Sequence, residues 1–272
     1  MRRLLLLVVA GLVVLLGAGA VVVLSSAPAH TPAAPPEPPS SSPASTPVAP
    51  ALPLAGVTIA LDPGHQLGNA RHPEQVNRVV DAGGLRKACN TTGTETAAGL
   101  PEATINFRVA RAVERRLAAL GATVRLTRTR NSLARWGPCV DVRGRFGGRV
   151  GADLMLSIHA DGAGPRQRGF HLIVPARSSR TANISGSSLR LARSVRAALD
   201  AAGARRSDYV GGGTALRVRR DLGTLNLSSV PVVMVELGNL RNAADARLLS
   251  GRPGQERYAA ALVRGIRGFL RR

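Results

Sequence analysis

Residues 57–65 read VTIALDPGH, a short β-branched and aliphatic run that breaks at Pro63-Gly64 and ends on His65. A run of this length and composition, closed by Pro-Gly, is typical of a buried strand. Open α/β sheets bind their ligands at the carboxyl ends of the strands. The stretch is therefore predicted to be a strand that delivers the imidazole of His65 to such a site.

Two later stretches repeat this arrangement. Residues 153–159 read DLMLSIH and end on His159, and residues 230–236 read VPVVMVE and end on Glu236. Helical periodicity between the apolar runs predicts β-α-β connections and hence parallel strand pairs. The sequence therefore predicts an α/β fold over residues 54–272: a single domain with a mainly parallel central sheet flanked by helices.

The other elements are predicted from periodicity and from proline and glycine signals. A helix opens at Leu100-Pro101-Glu102 and closes at Gly121, which puts Glu102 at a helix N-terminus. Residues 66–99 are interpreted as an irregular loop, and a loop of this length in a compact domain is usually functional. The remaining predictions are strands at 123–127 and 169–174, helices at 140–150, 189–202 and 258–270, and an irregular connection at 216–227.

The first 53 residues differ in composition from the rest. Met1-Arg2-Arg3 precedes an almost wholly apolar run, so residues 1–26 are predicted to be a signal peptide or an N-terminal membrane anchor. The run approaches the roughly 20 residues that span a bilayer, whereas Ala27-Pro28-Ala29 has the form of a cleavage site. Residues 27–53, rich in Pro, Ala and Ser, are predicted to be a disordered linker. An extracytoplasmic domain is expected.

The chain is strongly basic, with 37 Lys+Arg against 16 Asp+Glu and a formal net charge of +21. Such a charge either favours acidic partners, such as anionic lipid or an anionic wall polymer, or makes a solvated basic face. Aromatic residues make up only 3% of the sequence, too few for the stacking platforms of nucleic-acid binders. A nucleic-acid partner is not expected, and the chain is predicted to be a monomer.

Cys89 and Cys139 are the only cysteines. An exported chain meets an oxidising compartment, so a disulfide between them is the leading prediction. It would close a loop of about 50 residues, which the chain-entropy model values at roughly 4 kcal/mol. Because two isolated thiols make a poor zinc site, metal ligation by cysteine is not expected.

The side chains at the strand ends form a candidate metal site. A catalytic zinc ion takes three protein ligands and leaves a fourth position for water, and two histidines with one glutamate are an established set. His65, Glu102 and His159 can supply it, and Glu236 can accept and return a proton. Each residue alone has a simpler explanation, because a strand-end histidine is commonly a hydrogen-bonded loop residue and a helix-start glutamate complements the helix dipole. The combination favours a metal hydrolase.

Four further residues are not assigned to the site. His72 is predicted to be exposed, and His171 to be a packed or surface residue, rather than ligands. Asp62 either orients His65 or caps the turn. Trp136 could contact a sugar or a peptide, but a lone tryptophan does not decide between these.

Several stretches resemble the ordered motifs of the zinc-dependent N-acetylmuramoyl-L-alanine amidases of the AmiC type, and the resemblance covers nearly all of residues 57–270. One departure is Gln66-Leu67, where the family has Gly-Gly after the first histidine, which puts substrate preference near this loop in question. The matching stretches are LDPGH at 61–65, Glu102 with Asn106, SIHAD at 157–161, and VELGN at 235–239 with Asn242.

This resemblance implies that His65, Glu102 and His159 bind one Zn²⁺ ion and that Glu236 is catalytic. The implied reaction is hydrolysis of the amide between the lactyl group of N-acetylmuramic acid and L-alanine of the peptidoglycan stem peptide, in cell-wall turnover and daughter-cell separation. Two alternatives are a non-catalytic basic cell-wall-binding module and a zinc peptidase acting within the stem peptide. The sequence leaves open the preferred stem-peptide chemistry and the need for an activator.

Overall fold

A computed structural model of the chain describes residues 51–271, and a six-stranded sheet forms their centre. Its strand order is β4-β1-β5-β8-β6-β7, and β2 and β3 form a separate two-stranded hairpin. The strands are β1 (Thr58–Pro63), β2 (Val79–Asp81), β3 (Arg86–Ala88), β4 (Thr123–Leu126), β5 (Leu154–Asp161), β6 (His171–Pro175), β7 (Leu216–Arg219) and β8 (Val232–Asn239).

The sheet is mainly parallel. The pairs β1–β4, β1–β5, β5–β8 and β6–β7 are parallel, whereas β6 runs antiparallel to β8. The helices are α1 (Pro73–Asn77), α2 (Glu102–Ala118), α3 (Val140–Arg149), α4 (Ser185–Ala201), α5 (Gly223–Asn226), α6 (Ala243–Ser250) and α7 (Arg252–Leu270). The predicted fold class, one α/β domain with a mainly parallel sheet flanked by helices, is confirmed.

Two apolar layers cover the faces of the sheet. Successive residues of a strand point to opposite faces, so Ile59 and Leu61 join the larger core while Ala60 between them joins the smaller one. The larger core packs against α2, α4 and α7. The smaller core lies on the side of α3 and α5. Both faces are therefore buried, which is why the strands read as near-continuous apolar runs.

Most predicted elements are observed within a few residues of their expected ends, the usual uncertainty of helix boundaries. The terminal helix is longer than predicted, because α7 begins at Arg252 with Pro253 in its first turn. The short helix α6 was not expected.

The two stretches that were predicted to be irregular contain short helices and strands. Residues 66–99 contain a 3-10 turn at Asn69–Arg71, the helix α1 and the hairpin of β2 and β3, and residues 216–227 contain β7 and α5. These predictions were wrong because each of these elements has only three to five residues, which is too short for a repeating apolar pattern to show in the sequence.

The disulfide predicted between Cys89 and Cys139 is present, with an S–S distance of 2.07 Å. It joins the residue that follows β3 to the residue that precedes α3. The predicted signal or anchor, residues 1–26, and residues 27–50 of the predicted linker lie outside the described residues. Within residues 51–271 no helix combines the length and the apolar character needed to cross a membrane.

Candidate metal centre

Three neighbouring parallel strands bring the predicted site residues to one edge of the sheet. His65 follows β1, His159 lies on β5, and Glu236 lies on β8 directly opposite His159 in the strand pairing. Glu102 is the first residue of α2. All four line one cavity of about 370 Å³, as expected where the carboxyl ends of parallel strands meet.

The nitrogen and oxygen atoms of three of these residues converge. Oε1 of Glu102 lies 3.1 Å from Nε2 of His65 and 3.0 Å from Nδ1 of His159. One ligand atom from each residue lies within 4.8 Å of the others. The histidine side chains are 12% and 15% exposed, whereas that of Glu102 is 4% exposed. The three donors therefore face a partly open space rather than a closed core.

Glu102 is fixed by hydrogen bonds from three directions. Its Oε1 accepts from Nδ2 of Asn106 at 3.0 Å and from the backbone N–H of Ala160 at 3.2 Å. Its Oε2 accepts from the backbone N–H of Thr94 at 3.0 Å. Burial raises the pKa of this carboxyl, but the two histidines oppose burial and hold the pKa well below its ordinary value. Glu102 is therefore an ionised carboxylate with a fixed orientation.

The ring of His65 is oriented by the loop after β3. Its Nδ1 lies 3.0 Å from the carbonyl oxygen of Thr91, a partner that selects the tautomer with Nδ1 protonated and leaves the Nε2 lone pair free. Burial lowers the pKa of His65, but Glu102 raises it above the ordinary value. Burial lowers the pKa of His159, and this effect outweighs the hydrogen bond to Glu102. A neutral imidazole with an available lone pair is the form that binds metal.

Gly64 allows His159 to approach β1. A Cβ atom at this position would lie 2.3 Å from Cε1 of His159, a distance that no side chain tolerates. Gly93 plays the same part beside Glu102, where a Cβ would lie 2.7 Å from Oε2, and its φ of +81° also favours glycine. Close backbone packing on two sides thus sets the positions of two site residues.

A buried ion pair supports the backbone that carries His65. Asp62 pairs with Arg143, and it also accepts hydrogen bonds from the hydroxyls of Thr127 at 2.6 Å and Ser157 at 2.7 Å. Burial raises the pKa of Asp62, but Arg143 and the hydroxyls bring it below the ordinary value. Within residues 51–271 the hydrogen bonds of Asp62 go to Arg143, Thr127 and Ser157 and not to the His65 ring or to a backbone N–H of the turn. Asp62 therefore supports His65 indirectly, through Arg143, and does not cap the turn.

The guanidinium of Arg143 also binds the turn after β1. It donates to the carbonyl oxygens of Pro63 at 3.0 Å and His65 at 2.8 Å. Arg128 donates to Pro63 and Gly64 from the other side, at 2.9 and 3.1 Å. His65 has a φ of +56°, an uncommon left-handed conformation for a residue other than glycine. The two arginines hold the turn in this conformation.

Glu236 differs from Glu102 in its surroundings. Its Oε2 is buried and has no hydrogen-bond partner among residues 51–271. Burial raises the pKa of this carboxyl well above its ordinary value, the charges of Glu102 and Asp161 add to the effect, and Arg219 opposes it. An unpaired buried carboxyl oxygen beside three potential metal ligands is an arrangement suited to proton transfer.

The residues that the sequence set aside lie apart from the three converging donors. His72 is half-buried with its ring centroid 5.4 Å from that of Trp136, so the expectation that it is exposed holds only in part. His171 is packed, as expected, and pairs with Glu236 across β6 and β8. Burial lowers the pKa of His171 to about 4, so its ring is neutral near pH 7.

Gln66, the departure from the amidase pattern, has a structural part in the loop. Its Oε1 accepts from the backbone N–H groups of Leu67 at 3.0 Å and Ser132 at 3.1 Å. Its Nε2 donates to the carbonyl oxygen of Arg130 at 3.1 Å. The side chain thus ties the loop after His65 to the segment after β4.

The donor set fits a zinc ion. Two imidazoles and one carboxylate form a known catalytic zinc set, and here all three are within reach of one ion. The second layer of hydrogen bonds that such sites require is also present, at Thr91 for His65 and at Asn106 and Thr94 for Glu102. The disulfide removes both cysteines as competing ligands.

Comparison with known proteins identifies the family of the chain. The family model described as N-acetylmuramoyl-L-alanine amidase matches residues 59–268. An N-acetylmuramoyl-L-alanine amidase of Mycobacterium tuberculosis is 37% identical over 218 residues, which cover 80% of this chain and 88% of the relative.

Two solved structures are similar over the same extent. A crystal structure of an N-acetylmuramyl-L-alanine amidase from Mycobacterium smegmatis has a TM-score of 0.75 at 37% identity and covers 80% of this chain and 98% of that one. The apo form of an N-acetylmuramyl-L-alanine amidase from Mycobacterium abscessus also has a TM-score of 0.75, at 36% identity, with 80% and 100% covered. The chain therefore belongs to the N-acetylmuramoyl-L-alanine amidase family.

Proposed function

We propose that the chain is a zinc-dependent peptidoglycan amidase that hydrolyses the amide between the lactyl group of N-acetylmuramic acid and L-alanine of the stem peptide. The observation that carries the proposal is the convergence of His65, Glu102 and His159 beside Glu236 in one cavity. Membership of the amidase family supports the reaction class. We also propose that the protein acts outside the cytoplasm, where its substrate lies, in wall turnover and daughter-cell separation.

The three converging side chains are proposed to hold a single zinc ion. When bound at such a set, zinc polarises a carbonyl and lowers the pKa of coordinated water toward about 7. Glu102 contributes the negative charge of the set, and its three hydrogen bonds keep both oxygens in place. Thr91 keeps the Nε2 atom of His65 directed at Glu102.

Glu236 is proposed to move the proton. It accepts a proton from the attacking water and returns it to the L-alanine nitrogen as the amide breaks. Its raised pKa supports both roles, because the best acid–base group has a pKa near the working pH. Its Oε2 atom has no internal hydrogen bond to give up among the described residues.

The strongly basic sequence is proposed to assist binding to the wall. A net charge of +21 attracts anionic wall polymers in addition to the peptidoglycan substrate. The predicted signal or anchor at residues 1–26 would keep the domain at the membrane or release it, and the domain is proposed to act as a monomer.

Mass spectrometry of muropeptides tests the reaction. The full-length chain, loaded with zinc, should release intact stem peptides with L-alanine at the amino terminus, and a chelator should stop the release until zinc is returned. Fragments cut within the stem would instead identify a zinc peptidase. Binding to peptidoglycan with no cleavage by folded, zinc-loaded protein would favour a non-catalytic wall-binding module. Glu236→Gln serves as the inactive control that still binds zinc.

A further inference from the structure

Three arginine or lysine side chains line the cavity of the candidate metal centre: Arg143, which is paired with Asp62, and two others, Lys87 and Arg219. Lys87 on β3 and Arg219 on β7 line the cavity together with His159 and Glu236. Apolar side chains line it as well: Ile173, Leu222 and Met234. The cavity thus combines a metal set, an apolar surface and a cationic wall.

The two cations meet at one acidic residue. Nε and Nη2 of Arg219 donate to the carboxylate of Asp221 at 2.8 and 2.5 Å, and Nζ of Lys87 donates to its backbone carbonyl at 2.9 Å. The hydrogen bond from Arg219 lowers the pKa of Asp221 to about 2, so this carboxyl is charged at neutral pH. Two cations and one carboxylate leave a single net positive charge.

Donor groups remain at this wall after the internal contacts are made. An ammonium group has three donors and a guanidinium has five. Within residues 51–271, Lys87 makes one hydrogen bond and Arg219 makes two, all to Asp221. A net charge of one with several free donors suits a single carboxylate better than a polyanion.

The distance from the metal centre suits a peptide. Across the sheet, three strand spacings separate His159 from Arg219, and the pairing also places Arg219 level with Pro175, four residues along β6 from His171, which is level with His159 and Glu236. The two backbone positions are therefore about 19 Å apart. An extended chain covers that distance in about six residues. The long side chain of Arg219 shortens it, since its charge acts on Glu236. A stem peptide with its first amide at the metal centre would bring a residue two to four positions further on to the cationic wall.

We propose that Lys87 and Arg219 form a subsite for a free carboxylate of the stem peptide, two to four residues beyond the scissile amide. The enzyme then selects stems that carry a free acid at that position over stems in which the acid is amidated. This inference rests on the proposed function, since it takes the stem peptide as the occupant of the cavity.

Kinetics on matched substrates test the subsite. The substrates are muramoyl-L-alanyl peptides with all carboxylates free and a series in which each carboxylate is amidated in turn, cleaved by the full-length zinc-loaded chain. One amidation should lower kcat/KM about tenfold, the value of one charge-assisted hydrogen bond. The change should appear mainly in KM, because the contact lies away from the reacting amide.

Variants of the two cations should remove this selectivity. Lys87→Met and Arg219→Gln should each lower kcat/KM for the free acid toward the value for the amide. Lys87→Arg, which keeps the positive charge, should retain the preference for the free acid. Arg86→Gln and Arg217→Gln are matched controls, because these arginines are the exposed neighbours of the two residues on β3 and β7. Both controls should keep the selectivity of the wild type.

Lys87 is the only lysine in the sequence, which allows a chemical test. Acetylation of amines removes the Lys87 charge and should abolish the preference for the free acid, whereas reductive methylation keeps the charge and should preserve it. The Lys87→Arg variant, treated in the same way, reports any effect of the N-terminal amine.

Equal kcat/KM for every acid and amide pair would overturn the subsite while leaving the amidase function intact. If Lys87→Met lowers kcat/KM equally for the free acid and for its amide, Lys87 has only a structural role. If no peptide is cleaved, the proposed function fails, and the subsite is then decided by equilibrium binding of the free acid and amide L-alanyl peptides to the zinc-loaded chain.

Discussion

Replacing Arg143 by methionine should destabilise the fold and weaken zinc binding together. The side chains of Arg143 and Asp62 are 3% and 0% exposed, and removal of one partner from such a pair typically costs about 3–5 kcal/mol because a buried charge is left alone. Arg143 also donates to the carbonyl oxygens of Pro63 and Pro138. In the variant these oxygens keep other donors, Arg128 for Pro63 and Asn90 for Pro138. That of His65 loses the side-chain donor it has here.

The unpaired carboxylate of Asp62 and the lost hydrogen bond to the His65 carbonyl together lower the free energy of unfolding by about 4 kcal/mol. One effect opposes it, because burial and the charge of Arg143 together lower the pKa of Arg128 to about 9. Removing Arg143 relieves that repulsion. The left-handed turn at His65 also loses a support, so zinc affinity should fall by about 10- to 100-fold, as for other residues that orient metal ligands.

The assay is urea unfolding followed by far-UV circular dichroism, with zinc affinity measured by competition against a chromophoric chelator. Arg145→Met is the matched control on the same helix, because the side chain of Arg145 is 50% exposed and its surface ion pairs are worth about 0.5 kcal/mol. The double variant Asp62→Asn/Arg143→Met removes the unpaired charge and should recover part of the stability. A loss below about 1 kcal/mol for Arg143→Met, or no recovery in the double variant, would show that the buried pair does not stabilise the fold in this way.

The pH dependence follows from the same pair. In the folded state the pKa of Asp62 is lower than its ordinary value, so the pair contributes stability above the unfolded-state pKa. That contribution is lost as pH falls through the folded-state pKa. The difference in unfolding free energy between the wild type and Arg143→Met should therefore shrink as pH falls, because the wild type loses the ion pair and the unpaired Asp62 of the variant becomes protonated. Urea unfolding measured across this pH range checks it, and a difference that stays constant or grows in acid would contradict it.

Three further predictions concern the candidate site and its support. Glu236→Gln should lower kcat by about 10²- to 10⁴-fold while zinc content measured by atomic absorption stays at one per chain; a parallel loss of zinc would instead make Glu236 a structural residue. Gly64→Ala should weaken zinc binding because its Cβ would lie 2.3 Å from His159, whereas Gly186→Ala, with its nearest neighbour at 3.8 Å, should bind zinc normally. Reduction of the disulfide should lower the unfolding free energy by roughly 4 kcal/mol, and an unchanged urea midpoint would count against that value.

Local patterns explain why so much of the site was predictable. Apolar runs of strand length ended on His65, His159 and Glu236, and the Pro-Glu pair at a helix start identified Glu102. These signals depend only on neighbouring residues. The structure brings all four to one cavity, although their chemical roles remain proposals.

The residues that support the site were harder to predict from the sequence. A charge at Asp62 within an apolar strand implies a buried partner, and that signal was present in the sequence. Nothing local identified Arg143 as that partner, because it lies 81 residues further along the chain. Lys87 and Arg219 are likewise brought together only by packing of the hairpin and the sheet edge.

The fold class, the disulfide and the strand-end positions of the site residues could be predicted from the sequence alone, because each follows from short-range periodicity or from residue count. Three features are visible only in the folded protein: the strand order, the reversal of β6 that sets His171 beside Glu236, and the pairing of Asp62 with Arg143. These features join segments far apart in the chain. They are selected by how whole layers pack and by which buried charges find partners, and no local window of sequence contains that information.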